Sequence, residues 1–463
     1  MHTSMRFRLG PVLALSLALA GCQGPCSKIE SITAPPLASG GADFTTYVAA
    51  GTSISAGWQS GGLVDRHQVR SFPALFARQI GKTVQTDGQG SFTLPTYDRD
   101  GFPQLLHIVS YSPLIITNTG RTTGNPVNLG QAGAYHNMAV PFAIAFDFGD
   151  ESFYYNSTVH PAVAIPLFDN IVRHAGTIAA SALSRAPTFM TWEYGSNEVL
   201  GPTSGGAAAA TNTGETYTVI LNASLNAIHG VLPNTKIAVF SVPDVTSVPF
   251  VTTLSPFTVS LTTGQPLPLV GATGVLQQGD FVLLTASTLI ATTGTGIPAG
   301  GYNYLNPSVP SNGQPLPEYL ILRAAEAAQT RTEVTEMNAA IAAQVAARPY
   351  VALVDLNGIL NDISVNGLNI GGTLYTTDYI TGGLFSLDGV HPNDLAHAVL
   401  CNALIDAVNA RFTAGVHRVN PLDWATPSSS SLRPAFPDGR ALPTRIDGLQ
   451  DVLPRAVPEF VHN

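Results

Sequence analysis

The sequence is poor in charged residues. Asp, Glu, Lys and Arg make up 11% of its 463 residues, whereas about 25% is usual for a soluble domain. A coiled coil needs abundant charge at helical spacing, so that class is excluded. Intrinsic disorder is excluded too, because it requires few apolar residues and 45% of this chain is hydrophobic. The 21 basic residues form no cluster and are outnumbered by 30 acidic ones, which argues against a nucleic-acid partner.

Cysteine and long hydrophobic runs are also scarce. Three cysteines cannot build a disulfide scaffold. Cys401 lies in an apolar helical pattern and is expected in the core, with a bond to Cys26 as the alternative. After the amino terminus, no stretch reaches the about 18 uninterrupted apolar residues of a membrane-spanning helix. The length fits one large domain or two ordinary ones.

The first 21 residues predict a lipoprotein signal peptide. Two arginines precede a short apolar run, which ends in Leu-Ala-Gly-Cys at residues 19–22. This ending resembles the bacterial lipobox, in which the signal is cleaved before the cysteine, here Cys22, and its thiol is lipidated. The resemblance implies a lipid-anchored protein of the bacterial cell envelope. Gln23 is not the Asp that retains some lipoproteins at the inner membrane, so the outer membrane is favoured. The alternatives are an ordinary signal or a short membrane anchor.

The remaining chain divides into three parts by composition. We expect a flexible Pro/Gly/Ser-rich tether at 22–42, one folded domain at 43–415 and a coil tail at 416–463. A long, nearly uncharged insertion at 244–315 interrupts the folded domain. Insertions of this size are usually functional lids or small subdomains.

The folded domain alternates between two periodicities. Four apolar runs predict strands buried on both faces of a parallel sheet, at 44–50, 187–194, 236–241 and 350–355. A weaker fifth strand is predicted at 114–117 or at 127–129. Helical spacing is found at 162–184, 216–231, 317–347 and 394–412, with Asn393 capping the last helix. This alternation predicts a parallel sheet between helices, with functional residues at the carboxyl ends of the strands.

Four short motifs carry candidate chemistry. Ser53 lies in a Gly-flanked turn after the first strand, and Gly133 lies in a turn where its amide could approach a substrate oxygen. Asn197 follows another strand and could donate to an oxyanion. Asp388 and His391 are three residues apart, so the carboxylate can hold one imidazole nitrogen and leave the other as a base. Each motif alone is also compatible with an ordinary turn or cap.

Together and in this order, the four motifs resemble the SGNH hydrolase superfamily, also called GDSL lipases/esterases. The resemblance covers roughly residues 44–415 and implies an α/β fold, a three-layer α/β/α sandwich with a mainly parallel sheet. It implies that Ser53 is the nucleophile, that His391 takes its proton, and that Asp388 orients His391 and stabilises the imidazolium. It further implies an oxyanion hole formed by the amides of Ser53 and Gly133 and the side chain of Asn197. Gly133 is assigned because it lies five residues after an asparagine, Asn128, as in the family motif.

Two positions depart from the family pattern. Thr52 replaces the Asp of Gly-Asp-Ser, and Glu198 replaces the Asp of Gly-x-Asn-Asp. Neither position holds the nucleophile or the proton relay, so we still expect activity. Ser55 is a rival nucleophile two residues after Ser53.

The resemblance implies a serine hydrolase of carboxylic esters that needs no metal or organic cofactor. Low charge and apolar insertions favour acyl or lipid-like esters over the alternative, a carbohydrate deacetylase of the same fold. A non-catalytic, surface-binding lipoprotein is the second alternative. The expected partners are a small-molecule or lipid ester and the membrane that holds the anchor, with the protein a monomer. We expect the insertion at 244–315 to cover the site and shape acyl-chain preference, the alternative being a packing subdomain remote from it.

Overall fold

The computed structural model describes residues 37–111 and 114–424. The predicted signal peptide, Cys22, Cys26 and tail residues 425–463 lie outside the described residues. No helix of the described ranges is long and apolar enough to cross a membrane.

A four-stranded parallel sheet forms the centre of the fold. Its strands are β1 Tyr47–Gly51, β2 Phe189–Glu193, β3 Lys236–Phe240 and β4 Val351–Val354, and they lie side by side in that order. In register, Tyr47 is opposite Phe189, and Met190 is opposite Ile237. Every residue of β1 and β2 is buried, as expected where helices cover both faces of a sheet. All four strands were predicted from their apolar runs, to within three residues at each end.

Helices cover both faces of this sheet. Those described are α1 Ser53–Ala56, α2 Asp65–Gln68, α3 Phe72–Gln79, α4 Ala145–Gly149, α5 Ile165–Val172, α6 Ile178–Leu183, α7 Ser196–Ser204, α8 Thr213–Val231, α9 Pro249–Thr252, α10 Ala286–Thr293, α11 Ala324–Ala346, α12 Leu356–Asn366 and α13 Asp394–Phe412. Val48 and Ala50 of β1 pack in one core with α8 and α11, whereas Tyr47 and Ala49 pack in the other with α3 and α13. This alternation follows from the two-residue period of a strand and gives the expected three layers.

The carboxyl-terminal helix agrees closely with its sequence pattern. Helix α13 begins after Asn393, whose side chain accepts a hydrogen bond from the Ala396 amide, as the predicted N-cap requires. Cys401 is a free, fully buried thiol in the core shared with α3, as predicted. The predicted helix at 162–184 is instead two helices, because Arg173 takes a left-handed conformation (φ +57°) and ends α5.

The predicted fifth strand forms at one of its two candidate positions, but it is not part of the parallel sheet. Leu114–Thr117 is a strand, but it pairs antiparallel with His107–Tyr111 in a separate hairpin, and 127–129 is not a strand. Residues 136–140 lie beside β1 instead. The Ala49 amide donates to the carbonyl of His136 (2.8 Å), and the Val140 amide donates to the carbonyl of Gly51 (3.0 Å). This segment is too short and too polar at its start to resemble a buried strand.

The folded part extends beyond both predicted boundaries. The amide of Gly41 donates to the carbonyl of Phe412 (2.7 Å), so the end of the predicted tether is fixed against α13. After residue 415, the amide of Val419 donates to the side chain of Asn402 (2.8 Å). These contacts involve polar main-chain atoms, which composition does not reveal.

The insertion at 244–315 has a small core of its own. Val282 and Ile290 lie in an apolar cluster that is separate from the two cores of the main sheet. Short antiparallel pairs occur here and elsewhere: Phe257–Val259 with Pro266–Pro268, Val270–Gly271 with Gly274–Val275, Phe281–Val282 with Ile321–Leu322, and Leu368–Ile370 with Thr373–Tyr375. The 3₁₀ turns are Val245–Ser247, Glu318–Leu320 and Pro421–Trp424.

Candidate active site

Ser53 lies at the carboxyl end of β1, where the strand turns at once into a helix. Strand β1 ends at Gly51, and Ser53 is the first residue of the four-residue helix α1. A side chain at Gly51 would meet the main-chain oxygen of Glu193 at 2.9 Å, so this tight turn requires glycine. Gly57 ends α1 in a left-handed conformation (φ +81°). The Ser53 hydroxyl is thereby held on a short, rigid turn.

The structure brings the predicted Ser, His and Asp together in one hydrogen-bonded row. The Oγ of Ser53 lies 2.8 Å from Nε2 of His391. The Nδ1 of the same imidazole lies 3.0 Å from Oδ2 of Asp388. Ser53 and His391 are 338 residues apart in sequence, so only the tertiary fold could produce this contact. In this arrangement the imidazole can accept the serine proton while the carboxylate holds its other nitrogen.

Asp388 is surrounded by hydrogen-bond donors. Its oxygens accept from the amides of Gly61 (3.0 Å), Val390 (3.0 Å) and His391 (2.9 Å), and from the hydroxyl of Ser386 (3.0 Å). Burial opposes ionisation, but the neighbouring His391 and the amides of His391 and Val390 outweigh it and lower the Asp388 pKa to about 2. The carboxylate is therefore charged throughout the physiological range and fixed in orientation.

Two other segments support the loop that carries Asp388 and His391. The amide of Ser60 donates to the Ser386 hydroxyl at 2.9 Å, which ties this loop to the chain that follows α1. From the insertion, the Phe250 amide donates to the carbonyl of Gly389 at 2.8 Å. The insertion thus packs against the loop of the triad.

Ser55, the rival nucleophile, points away from His391. Its hydroxyl donates to Oε2 of Glu193 at 2.9 Å, and its side chain is fully buried. The same carboxylate accepts from the amide and the hydroxyl of Thr52, both at 3.0 Å. Burial raises the Glu193 pKa, and the hydrogen bonds from Thr52 and Ser55 oppose that rise. Sequence reasoning overlooked Glu193, although a lone carboxylate at the end of an apolar strand was the signal that could have revealed it.

The structure does not bring Gly133 to Ser53, so its predicted role in the oxyanion hole is wrong. Gly133 is exposed and lies three residues before the segment 136–140, which begins beside the middle of β1 and runs toward Ser53. The next carbonyl, that of Ala134, accepts a hydrogen bond from Arg185, which precedes the start of β2. Gly133 is therefore at the edge of the sheet where the strands begin, opposite the edge that holds Ser53.

Phe142, not Gly133, follows the segment that runs beside β1 toward Ser53. It lies two residues after Val140, whose amide bonds the last residue of β1, and it has a left-handed φ of +70°. Its ring packs edge-on against Trp58 (centroids 5.2 Å apart), and Trp58 also contacts the His391 ring (6.1 Å). Phe142 follows Asn137 by five residues, the spacing used to assign Gly133. That second asparagine was the available signal, and it was missed because phenylalanine stands where glycine was sought.

Asn197 and Glu198 hold the turn that contains Phe142. The Asn197 Nδ2 donates to the carbonyl of Ala143 at 2.8 Å, and the amide of Ala145 donates to Oε1 of Glu198 at 2.6 Å. Burial raises the Glu198 pKa to about 7, against the hydrogen bond from Ala145 and with the help of nearby carboxylates. The second amide hydrogen of Asn197 is not used in the bond to Ala143 and can serve a substrate oxygen.

A second buried His–Asp pair lies at the start of α13. Nδ1 of His67 lies 2.8 Å from Oδ1 of Asp394, and Arg70 contacts the other oxygen at 2.9 Å. The pair ties α2 to α13. Among the described residues, no group of three or more His, Cys, Asp or Glu side chains is arranged to hold a metal ion.

Comparison with known proteins agrees with this geometry. The model of the family described as GDSL-like Lipase/Acylhydrolase matches residues 47–404. The match begins at the first residue of β1 and ends within α13, so it includes Ser53, Asn197, Asp388 and His391. A search of curated proteins gave no match.

Proposed function

The chain belongs to the GDSL-like lipase/acylhydrolase family, and on that premise we propose that it hydrolyses carboxylic esters through an acyl-enzyme on Ser53. The observation that carries the proposal is the hydrogen-bonded row of Ser53, His391 and Asp388, with separations of 2.8 and 3.0 Å. A hydroxyl, an imidazole and a charged carboxylate in this order are the groups that activate a serine nucleophile.

In the first half of the reaction, Ser53 Oγ attacks the ester carbonyl carbon and Nε2 of His391 takes the hydroxyl proton. Asp388 stabilises the imidazolium that forms, because its carboxylate is charged and hydrogen-bonded to Nδ1. When the tetrahedral intermediate collapses, the bond to the alcohol oxygen breaks and His391 returns the proton to that oxygen. The alcohol leaves, and the acyl group remains as an ester of Ser53.

The negative oxygen of the tetrahedral intermediate needs donors on its other side. Three groups are available: the amide of Ser53 in the first turn of α1, the side-chain amide of Asn197, and the amide of Phe142. Within the described residues the Phe142 amide donates no hydrogen bond, although the neighbouring Ala143 amide does. Its left-handed backbone turns this amide out of the local pattern of hydrogen bonds.

In the second half, water replaces the alcohol. His391 removes a proton from the water as it attacks the acyl carbon, and the proton then passes to Ser53 Oγ as the carbon–oxygen bond breaks. The products are a carboxylic acid and the regenerated serine. These steps need only the side chains and amides named above.

For the substrate, we favour esters with an apolar, lipid-like acyl group over acetylated carbohydrates. Aromatic side chains, Phe142 and Trp58, adjoin the triad, and such rings favour apolar groups. A surface-binding lipoprotein without activity is the less favoured alternative, because nothing about binding alone requires the Ser53–His391 contact.

The experiment that tests the proposal is covalent labelling with a fluorophosphonate. We expect the wild-type chain to be labelled at Ser53 and Ser53→Ala to lose both labelling and ester hydrolysis while remaining folded. Ser55→Ala is the matched control, since its hydroxyl contacts Glu193 rather than His391, and it should still be labelled at Ser53. An unlabelled wild type, or labelling that persists in Ser53→Ala, rejects the mechanism.

We further propose that the protein is anchored in the bacterial envelope by a lipid on Cys22. The support is the Leu-Ala-Gly-Cys sequence at residues 19–22, which lies outside the described residues. In the producing cell, Cys22→Ser should remain unlipidated and uncleaved, as measured by mass spectrometry of the intact chain. A lipidated mature chain from this variant contradicts the proposal.

A further inference from the structure

A cleft of about 820 Å³ opens beside the candidate oxyanion donors. Phe142 and Asn197 form its end nearest the triad. Its walls include Ile144, Phe146 and Phe153, and the two phenylalanine rings contact each other with centroids 4.7 Å apart. Clefts of this size that combine apolar and aromatic side chains with polar groups are typical of small-molecule sites. The polar residues that line this one are Thr158, Asn197, Glu198, Ser204, Asn212, Thr213 and Thr216.

Phe142 connects this cleft to the triad. Its ring lines the cleft and packs at 5.2 Å against Trp58, which in turn lies 6.1 Å from the His391 ring. Its neighbour Ala143 accepts the hydrogen bond from Asn197, so two of the candidate oxyanion donors, the Phe142 amide and the Asn197 side chain, lie at this end of the cleft. The cleft is therefore connected to His391 through the rings of Phe142 and Trp58.

We infer that this cleft binds the acyl chain of the ester and that the chain passes Phe142 to enter it from the reacting carbonyl. The inference rests on the proposed ester hydrolysis and adds where the substrate's apolar part is bound. A hydrocarbon chain suits the walls formed by Ile144, Phe146 and Phe153, because burying each methylene contributes about 0.8 kcal/mol. An acetyl group is too short to use these walls, so the enzyme prefers medium or long acyl chains to acetyl.

The insertion at 244–315 contributes no residue to this cleft, whose lining comes from residues 142–220. The expected control of acyl-chain preference is therefore assigned to α4, α7 and α8 instead. The insertion instead contacts the loop that carries Asp388 and His391, where the Phe250 amide donates to the carbonyl of Gly389.

A substitution can fill the cleft without disturbing its walls. Gly201 in α7 lines the cleft, and a Cβ at this position would meet no atom within 4 Å. Gly230 in α8 is the matched control, because it is also helical and exposed, has no atom within 4 Å, and lies outside the cleft. The variants are Gly201→Phe and Gly230→Phe, with Ile220→Trp as a second cleft-filling change.

The measurement is kcat/KM of the full chain for p-nitrophenyl octanoate, divided by that for p-nitrophenyl acetate. We expect this ratio to exceed 1 in the wild type, to fall at least tenfold in Gly201→Phe and Ile220→Trp, and to stay within twofold in Gly230→Phe. An unchanged ratio in both cleft-filling variants, each folded by circular dichroism, overturns the inference. If that occurs while the wild type is labelled by a fluorophosphonate at Ser53, the proposed hydrolysis stands. An unlabelled, inactive wild type rejects both.

Discussion

The carboxylate of Glu193 accepts hydrogen bonds from both the amide and the hydroxyl of Thr52, each at 3.0 Å. Thr52 stands where the family motif has an aspartate, and here the buried carboxylate comes from β2 instead. It also holds Ser55, so it fixes both ends of the turn that presents Ser53. The departure at Thr52 is thereby compensated, because the turn keeps an acceptor for its amide and hydroxyl groups.

This relationship predicts that restoring the family aspartate is harmful. Thr52→Asp brings a second carboxylate against Glu193 in a fully buried site. We expect the free energy of unfolding to fall on the order of 3 kcal/mol, because an uncompensated buried charge is costly, and kcat to fall with it. Adding Glu193→Gln to Thr52→Asp should recover part of both losses. Urea unfolding and ester hydrolysis measure the effects, and a Thr52→Asp variant as stable and active as wild type refutes this account.

The raised pKa of Glu198 predicts a pH-dependent stability. Its pKa is about 7 when folded against a usual 4.5, so the folded state retains the proton that the unfolded state loses. The free energy of unfolding therefore falls as the pH rises from 4.5 to 7, and Glu198→Gln removes this loss. Relative to wild type, Glu198→Gln should gain on the order of 2 kcal/mol between pH 5 and pH 8 in urea unfolding. Glu215→Gln, at an exposed position in α8, is the control. An equal response of both variants contradicts the prediction.

The left-handed backbone of Phe142 predicts an unusual order of stability between two variants. Phe142→Gly and Phe142→Ala both remove the ring, so their difference reports on the backbone. At φ +70°, the Cβ of alanine clashes with the backbone, whereas glycine has no Cβ. The Gly variant should therefore be more stable by about 1 kcal/mol. Chemical denaturation of both proteins measures the difference. Alanine normally exceeds glycine in stability, so that usual order would indicate an ordinary backbone at this position.

A substitution at Gly389 tests how strongly the insertion supports the triad. Gly389→Ala places a methyl group 2.9 Å from Leu284 and 3.0 Å from the Phe250 amide, at a left-handed φ of +71°. We expect a lower Tm and at least a tenfold lower kcat, because the loop carrying Asp388 and His391 must shift. Gly372→Ala shares the left-handed strain (φ +84°) but meets no atom within 4 Å, so it should lower Tm only slightly and keep full activity. Equal effects of the two variants would mean that backbone strain, not contact with the insertion, matters at Gly389.

Several local features of this protein can be predicted from its sequence. The four apolar runs predicted β1 to β4, and Asn393 as an N-cap predicted the start of α13. The three-residue spacing of Asp388 and His391 predicted that the carboxylate could hold the imidazole. These features depend on periodicity, capping and short-range geometry, which act between neighbouring residues. Ser53 was selected over Ser55 only by its place in a motif, and its contact with His391 was an expectation.

The contacts between distant residues at the site depend on the packing of the whole fold. Glu193 reaches Thr52 because β1 and β2 are paired in register, with Gly51 opposite Glu193. Phe142, rather than Gly133, follows the carboxyl end of β1 because residues 136–140 run parallel to that strand. Their sequence does not predict this pairing. Hydrogen bonds between main chains are available to nearly every residue type, so which segments pair is determined by the packing of the whole chain.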